Sequence, residues 1–130
     1  MKPIIKKSDE KDIRSLMEAL PPSQRTKEIG TLQSELRRGQ IVDDAKIPEK
    51  VIQVGSYFEI KDLASGKKLQ LTLTFPNQAN LAEKKLSIFS PLGVALIGFQ
   101  EGQEIEWKLP AGKRKFKIEK VSQAVTALSN

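Results

Sequence analysis

The stretch Ser90 to Val121 reads SPLGVALIGFQEGQEIEWKLPAGKRKFKIEKV and holds, in turn, a capped short helix, a bend, a strand, a turn and a second strand. Ser90 is a good N-cap, and Pro91 suits the first helical position, where its missing N–H removes no bond. The helix is expected to continue from Leu92 to Ile97. Gly98 can take the left-handed conformation that ends it, and Gly102 serves the next bend. Ile105, Trp107 and Leu109 alternate with Glu104, Glu106 and Lys108, the period-two pattern of a half-buried strand. Pro110-Ala111-Gly112 is turn chemistry, and the partner strand sets Phe116 and Ile118 against Lys115, Lys117 and Glu119.

Working back toward the N-terminus, Leu86 to Phe89 reads as a short strand with Leu86 and Ile88 inward. Lys67 to Phe75 is a clearer one, with Leu69, Leu71, Leu73 and Phe75 on one face and Gln70, Thr72 and Thr74 on the other. Tyr57 to Lys61 is a further strand, joined to it by the turn Asp62 to Gly66. Ser65-Gly66-Lys67-Lys68 shares letters with a phosphate loop, but it lacks that motif's first glycine and precedes a strand rather than a helix. Together with the last hairpin this makes five antiparallel-type strands and one short helix.

Two helices precede the sheet. Ile13, Leu16, Met17 and Leu20 form one stripe on a helix from Ser8 to Leu20, with Ser8 as its N-cap. Asp9, Glu10 and Asp12 complement the dipole of its first turn. Pro21-Pro22-Ser23 ends it. Ser23 or Thr26 caps a second helix that turns Ile29, Leu32 and Leu36 inward and runs through Arg38, with Gly30 weakening it by about 1 kcal/mol. The pair reads as an antiparallel hairpin, each helix about 20 Å long and in need of support from the rest of the chain. Ile41 to Lys50 is read as a linker, where Asp43-Asp44 is a solvated pair rather than a Mg²⁺ site because no further ligand stands nearby in sequence. The expected organisation is therefore α+β: a helical hairpin and linker over 1–46, a sheet domain over 47–122 and a tail over 123–130.

Composition narrows the chemistry. The 130 residues contain neither cysteine nor histidine, which removes disulfides, thiolate nucleophiles, imidazole catalysis and the common zinc sites. The net charge is +6, but both signs are interspersed as on an ordinary solvated surface. Apolar runs fall short of a membrane span and MKPIIKKSDEKD has no signal-peptide core, so a cytoplasmic protein with no membrane contact is expected.

SPLGVALIG followed by EGQEIEWKLPAGKRKFKIEKV resembles the C-terminal domain of the Gre transcript-cleavage factors, a domain with the FK506-binding-protein-like fold. LQSELRRGQIVDDAKIP resembles the segment that closes the Gre coiled coil, so the resemblance runs from about Leu32 to Val121. The short hairpin is closer in layout to the regulator of nucleoside diphosphate kinase, a relative with a shortened coiled coil. The resemblance implies docking of the domain on bacterial RNA polymerase at the rim of its secondary channel. It also implies that acidic residues at a long coiled-coil tip help hold a catalytic Mg²⁺. Here the tip, Pro21, Pro22, Ser23, Gln24 and Arg25, bears no acid, and Glu18 and Glu28 belong to the helix bodies. The chain is therefore expected to bind polymerase without stimulating cleavage, as a monomer, with no catalytic residue, metal or cofactor. The docking candidates are Phe89, Ser90, Pro91, Leu92, Gly93 and Val94. The Gre motif usually has an acidic residue where Phe89 stands and an Arg where Val94 stands. Phe89 is either an apolar substitute in docking or a residue covered by the hairpin, and the apolar helix beside it needs cover from the hairpin or from the polymerase.

Two other functions compete. A peptidyl-prolyl isomerase needs an aromatic-lined cavity, whereas Phe75, Trp107 and Phe116 are explained as core. Weak nucleic-acid contact would use Lys108, Lys113, Arg114, Lys115 and Lys117, but Phe116 points to the opposite face, so no stacking platform interleaves with the charge.

Overall fold

The computed structural model describes residues 2–109 and 112–123. Helices α1 (Lys7–Glu18) and α2 (Lys27–Arg38) form the hairpin, preceded by strand β1 (Ile4–Lys6) and followed by β2 (Gln40–Val42). Then come β3 (Ser56–Asp62), β4 (Lys68–Thr74), β5 (Lys85–Ser87), α3 (Pro91–Leu96), β6 (Glu104–Leu109) and β7 (Gly112–Gln123). The main sheet has five strands in the order β5-β4-β3-β7-β6. Pro110 and Ala111 of the expected turn and residues 124–130 of the expected tail lie outside the described residues. Gln123, at the head of that tail, closes β7 and reaches back, donating from Nε2 to the carbonyls of Glu49 and Val51.

The strand expected over Tyr57 to Lys61 is β3, in which Ser56, Phe58, Ile60 and Asp62 are buried and the residues between them half-buried. On β7, Phe116 and Ile118 turn inward as the spacing predicts. One row departs from the antiparallel expectation: β5 runs parallel to β4, pairing Leu73 with Leu86. The connection achieves this without a long helix. It folds into two single helical turns, Pro76–Gln78 and Leu81–Glu83, and reverses at Lys84, which takes φ +63°. The alternating face of β4 is also only partly covered: Leu69, paired with Ile60 of β3 but beyond the reach of β5, stays 43% exposed.

The N-terminal segment departs furthest. No strand was expected before α1, yet β1 pairs in parallel with β2, so the expected linker begins as a strand. Ile4 N–H donates to the Gly98 carbonyl, tying this small sheet to the end of α3. Ser8 does not cap α1. It lies inside the first turn, and its N–H donates to Asp44 Oδ1 at 3.0 Å, so a carboxylate 36 residues away does the capping. Asp44, read as solvated linker, is thereby held below the usual carboxylate range, first by its bond with Ser8. Leu16 is 38% exposed and falls outside the core, while Ile13 and Met17 enter it. Thr26 caps α2, accepting from Ile29 N–H, and Ile29, Leu32 and Leu36 are buried as expected. These residues join Phe58, Ile60, Leu96, Ile97, Phe116 and Ile118 in one continuous core, so hairpin and sheet bury each other.

Candidate functional site

The turn from β5 into α3 is built by three short-range devices. Ser87 Oγ accepts from Phe89 N–H at 2.9 Å, which fixes the bend. Ser90 Oγ donates to the Ser87 carbonyl at 2.7 Å and accepts from Gly93 N–H at 3.1 Å, joining strand end and helix start through one hydroxyl. Gly93 then has no room for a side chain: a Cβ there would stand 2.1 Å from the Ser87 carbonyl oxygen. Serine, proline and glycine thus each answer a distinct demand: a cap, a first-turn residue without N–H, and backbone in near contact. Gly98, at φ +85°, closes the helix as the sequence predicts.

Of the six docking candidates, Pro91 alone is exposed, and Phe89 and Ser90 are half-buried. Leu92, Gly93 and Val94 are buried. The hairpin supplies cover for α3, because Ile29, Leu32 and Leu36 of α2 share its core.

Two grooves flank this turn. The first, of about 840 Å³, lies between the hairpin tip and the end of β4, and brings Phe89 together with Phe75, Pro76, Leu20, Pro21 and Gln24. The hairpin tip and Phe89, read separately from sequence, therefore line one groove. Pro22, Ser23 and Arg25 are exposed on the same tip, which is closed by Gln24 N–H donating to the Pro21 carbonyl and Arg25 Nε to the Leu20 carbonyl. The second groove, of about 720 Å³, lies between α2, α3 and β6, with Pro91, Val94, Ala95, Phe99, Ile105 and Trp107 along it. Trp107 packs against Phe116 at 5.8 Å between ring centroids, and its enclosed indole N–H has no acceptor among the described residues.

Beyond the turn, Asp9 was missed. Read as a dipole complement, it is 6% exposed and accepts from Val54 N–H at 3.1 Å, bridging α1 to the segment before β3. Desolvation pushes its pKa up to about 6, against the opposing pull of Lys6. Among the described residues no cluster of three or more carboxylates is placed to hold a metal ion, and no helix is long and apolar enough to cross a membrane.

The family described as "Transcription elongation factor, GreA/GreB, C-term" matches residues 47–123, from the segment before β3 to the last residue of β7. The chain belongs to the GreA/GreB family. The GreA/GreB relatives include the transcription elongation factor GreA of Clostridium acetobutylicum, 32% identical over 90 residues, 69% of this chain and 57% of that protein. The regulator of nucleoside diphosphate kinase of Escherichia coli is 32% identical over 81 residues, 62% of this chain and 60% of the relative. The matches thus span less than two thirds of these relatives' own length. The solved GreA/GreB structure from Nitrosomonas europaea superposes with a TM-score of 0.77 at 31% identity, covering 94% of this chain and 98% of that one. That coverage extends the likeness beyond the sheet to the hairpin.

Proposed function

We propose that this GreA/GreB-family chain binds bacterial RNA polymerase near its secondary channel, leaves backtracked RNA uncut, and competes with cleavage-competent members of the family for that position. The observation that carries the reading is a contrast within one surface. The docking turn is pre-built, with Ser90 bonded to both sides of the strand-to-helix junction. The adjacent hairpin tip, Pro21 to Arg25, offers no carboxylate. A rigid docking turn needs no ordering on contact, which favours binding. A tip without acid lacks the ligands a second catalytic Mg²⁺ requires. The chain acts by occupancy rather than by chemistry of its own.

The test is capture of core polymerase by the intact protein and by Pro91→Asp, followed by competition with a true Gre factor. Pro91 is exposed at the helix start, so the charged variant is expected to keep its fold and lose most of the binding. In a backtracked transcription complex the protein is expected to yield no cleavage above buffer and to suppress cleavage by an added Gre factor. Failure of the unaltered protein to bind polymerase would end the reading. Cleavage above buffer would end its non-cleaving half.

A further inference from the structure

We infer that the open edge of β6 receives an extended segment of a partner protein, with alternating basic and apolar side chains, that pairs with β6 as an added strand. β6 is the last strand of the sheet, paired on one side with β7 and on the other with nothing among the described residues. An edge of this kind presents unpaired N–H and C=O groups at every second residue. The groove beside it is lined by Glu104, Ile105, Glu106 and Trp107 in succession. Successive side chains of a strand point to opposite faces, so a groove touched by all four wraps the strand's edge rather than lying on one face.

Charge decides the chemistry of the occupant. The chain carries a net charge of +6, yet four glutamates, Glu28, Glu35, Glu104 and Glu106, line this groove, with Lys27 as its one basic residue. Glu35 is bonded to Arg38, and Glu106 stands 3.8 Å from Lys113. Glu104 and Glu106 already face Lys117 and Lys115 across the β6–β7 ladder, so only their outer side is open to a further strand, and Glu28 is in none of the ion pairs among the described residues. An added strand would turn one set of side chains toward Val94, Ala95, Phe99 and Trp107 and the other set beside Glu104 and Glu106. Opposite charges directly across two strands stabilise the pairing. The fitting sequence therefore alternates Lys or Arg with Val or Ile, and strand addition supplies the backbone bonds. The inference goes beyond the polymerase reading, and its test contains no polymerase.

Trp107 is the chain's single tryptophan, so its emission reports this groove. The experiment titrates the full chain with a capped synthetic peptide of alternating lysine and valine. It repeats the titration with the same peptide methylated at alternate backbone nitrogens, and with a glutamate-valine peptide. A saturable change in emission is expected with the first peptide alone. The double variant Glu104→Lys with Glu106→Lys, its fold checked by circular dichroism, is expected to bind that peptide about tenfold more weakly and to gain affinity for the glutamate-valine peptide. No saturable change, or an equal response to the methylated peptide, overturns strand addition. Affinity unmoved by the charge reversal overturns the basic occupant. A concentration-dependent rise in the mass of the chain alone, lost in the same variant, would assign the edge to a second copy and overturn the partner segment.

Discussion

Asp9 is a carboxylate largely withdrawn from water, and its consequence for stability has a definite sign. Its pKa in the folded chain is about 6 against 3.8 for a free side chain, with desolvation the main cause. The folded state therefore holds a proton that the unfolded chain releases between about pH 4 and pH 6. The stability Asp9 allows is full below that window and falls as pH rises through it, by about 3 kcal/mol in all. Asp44 and Asp62 are held below the usual range by hydrogen bonds from Ser8 and Ala64, so they act in the opposite direction, losing stability as pH falls. Asp9→Asn keeps an acceptor for Val54 N–H and removes the charge. It is expected to match the parent near pH 4 and to be more stable by about 3 kcal/mol at pH 7.5. Urea unfolding at the two pH values measures this; parallel curves for the two proteins would mean Asp9 is not the titrating group. Gly93 makes the opposite kind of demand, on space. Gly93→Ala places a Cβ 2.1 Å from a backbone oxygen, and is expected to destabilise by about 3 kcal/mol in thermal unfolding as α3 is forced off the strand end.

At the scale of elements, what could be read in advance was whatever local chemistry decides. The cap, proline and glycine of α3 are set by neighbours within three residues, and the inward turn of Phe116 and Ile118 by the two-residue period of β7 itself. Thr26 capped α2 for the same reason. What could not be read depended on contacts far apart in sequence. The cap of α1 comes from Asp44, and β1 is too short to show a period and exists because β2 lies beside it. The parallel step between β4 and β5 arises in a polar loop whose turns have no apolar signal. Leu16 shows the limit of periodicity: it holds the right phase on α1, but it stays 38% exposed on the groove that Phe75 and Phe89 also line. Gly30 separates propensity from packing. It sits inside α2 with nothing within 4 Å of where a Cβ would stand, so neither sterics nor a special backbone angle calls for glycine. Gly30→Ala is expected to stabilise by about 1 kcal/mol, read as a higher midpoint in urea with an unchanged slope.

For the molecule as a whole, the decisive feature is that the hairpin lies against the sheet domain. The charge and phase of each helix announced an amphipathic pair, but not which surface it would cover. That surface is α3 and the strands beneath it, joined to Ile13, Met17, Ile29, Leu32 and Leu36 in one core. The base of the hairpin is fixed by the bond from Ile4 to Gly98 and by Gln40 N–H donating to the Pro3 carbonyl. Gly98 permits this approach, since a Cβ there would meet Pro3 at 2.5 Å. Because the hairpin and α3 share one core, the family-matching segment should not stand alone. A chain shortened to residues 47–130 loses Ile29, Leu32 and Leu36 from the core they share with Leu92, Val94 and Leu96, which are 6%, 4% and 0% exposed in the intact protein. Each buried side chain of this size contributes about 1.5–3 kcal/mol relative to exposure, so three together approach the net stability of a small domain. The shortened chain is expected to lose its cooperative unfolding transition, to bind a hydrophobic dye, and to fail in polymerase capture although Ser90, Pro91 and Gly93 are all present. A cooperative, dye-free fragment that still captured polymerase would show that the sheet domain folds independently and that the hairpin serves only the position of its tip.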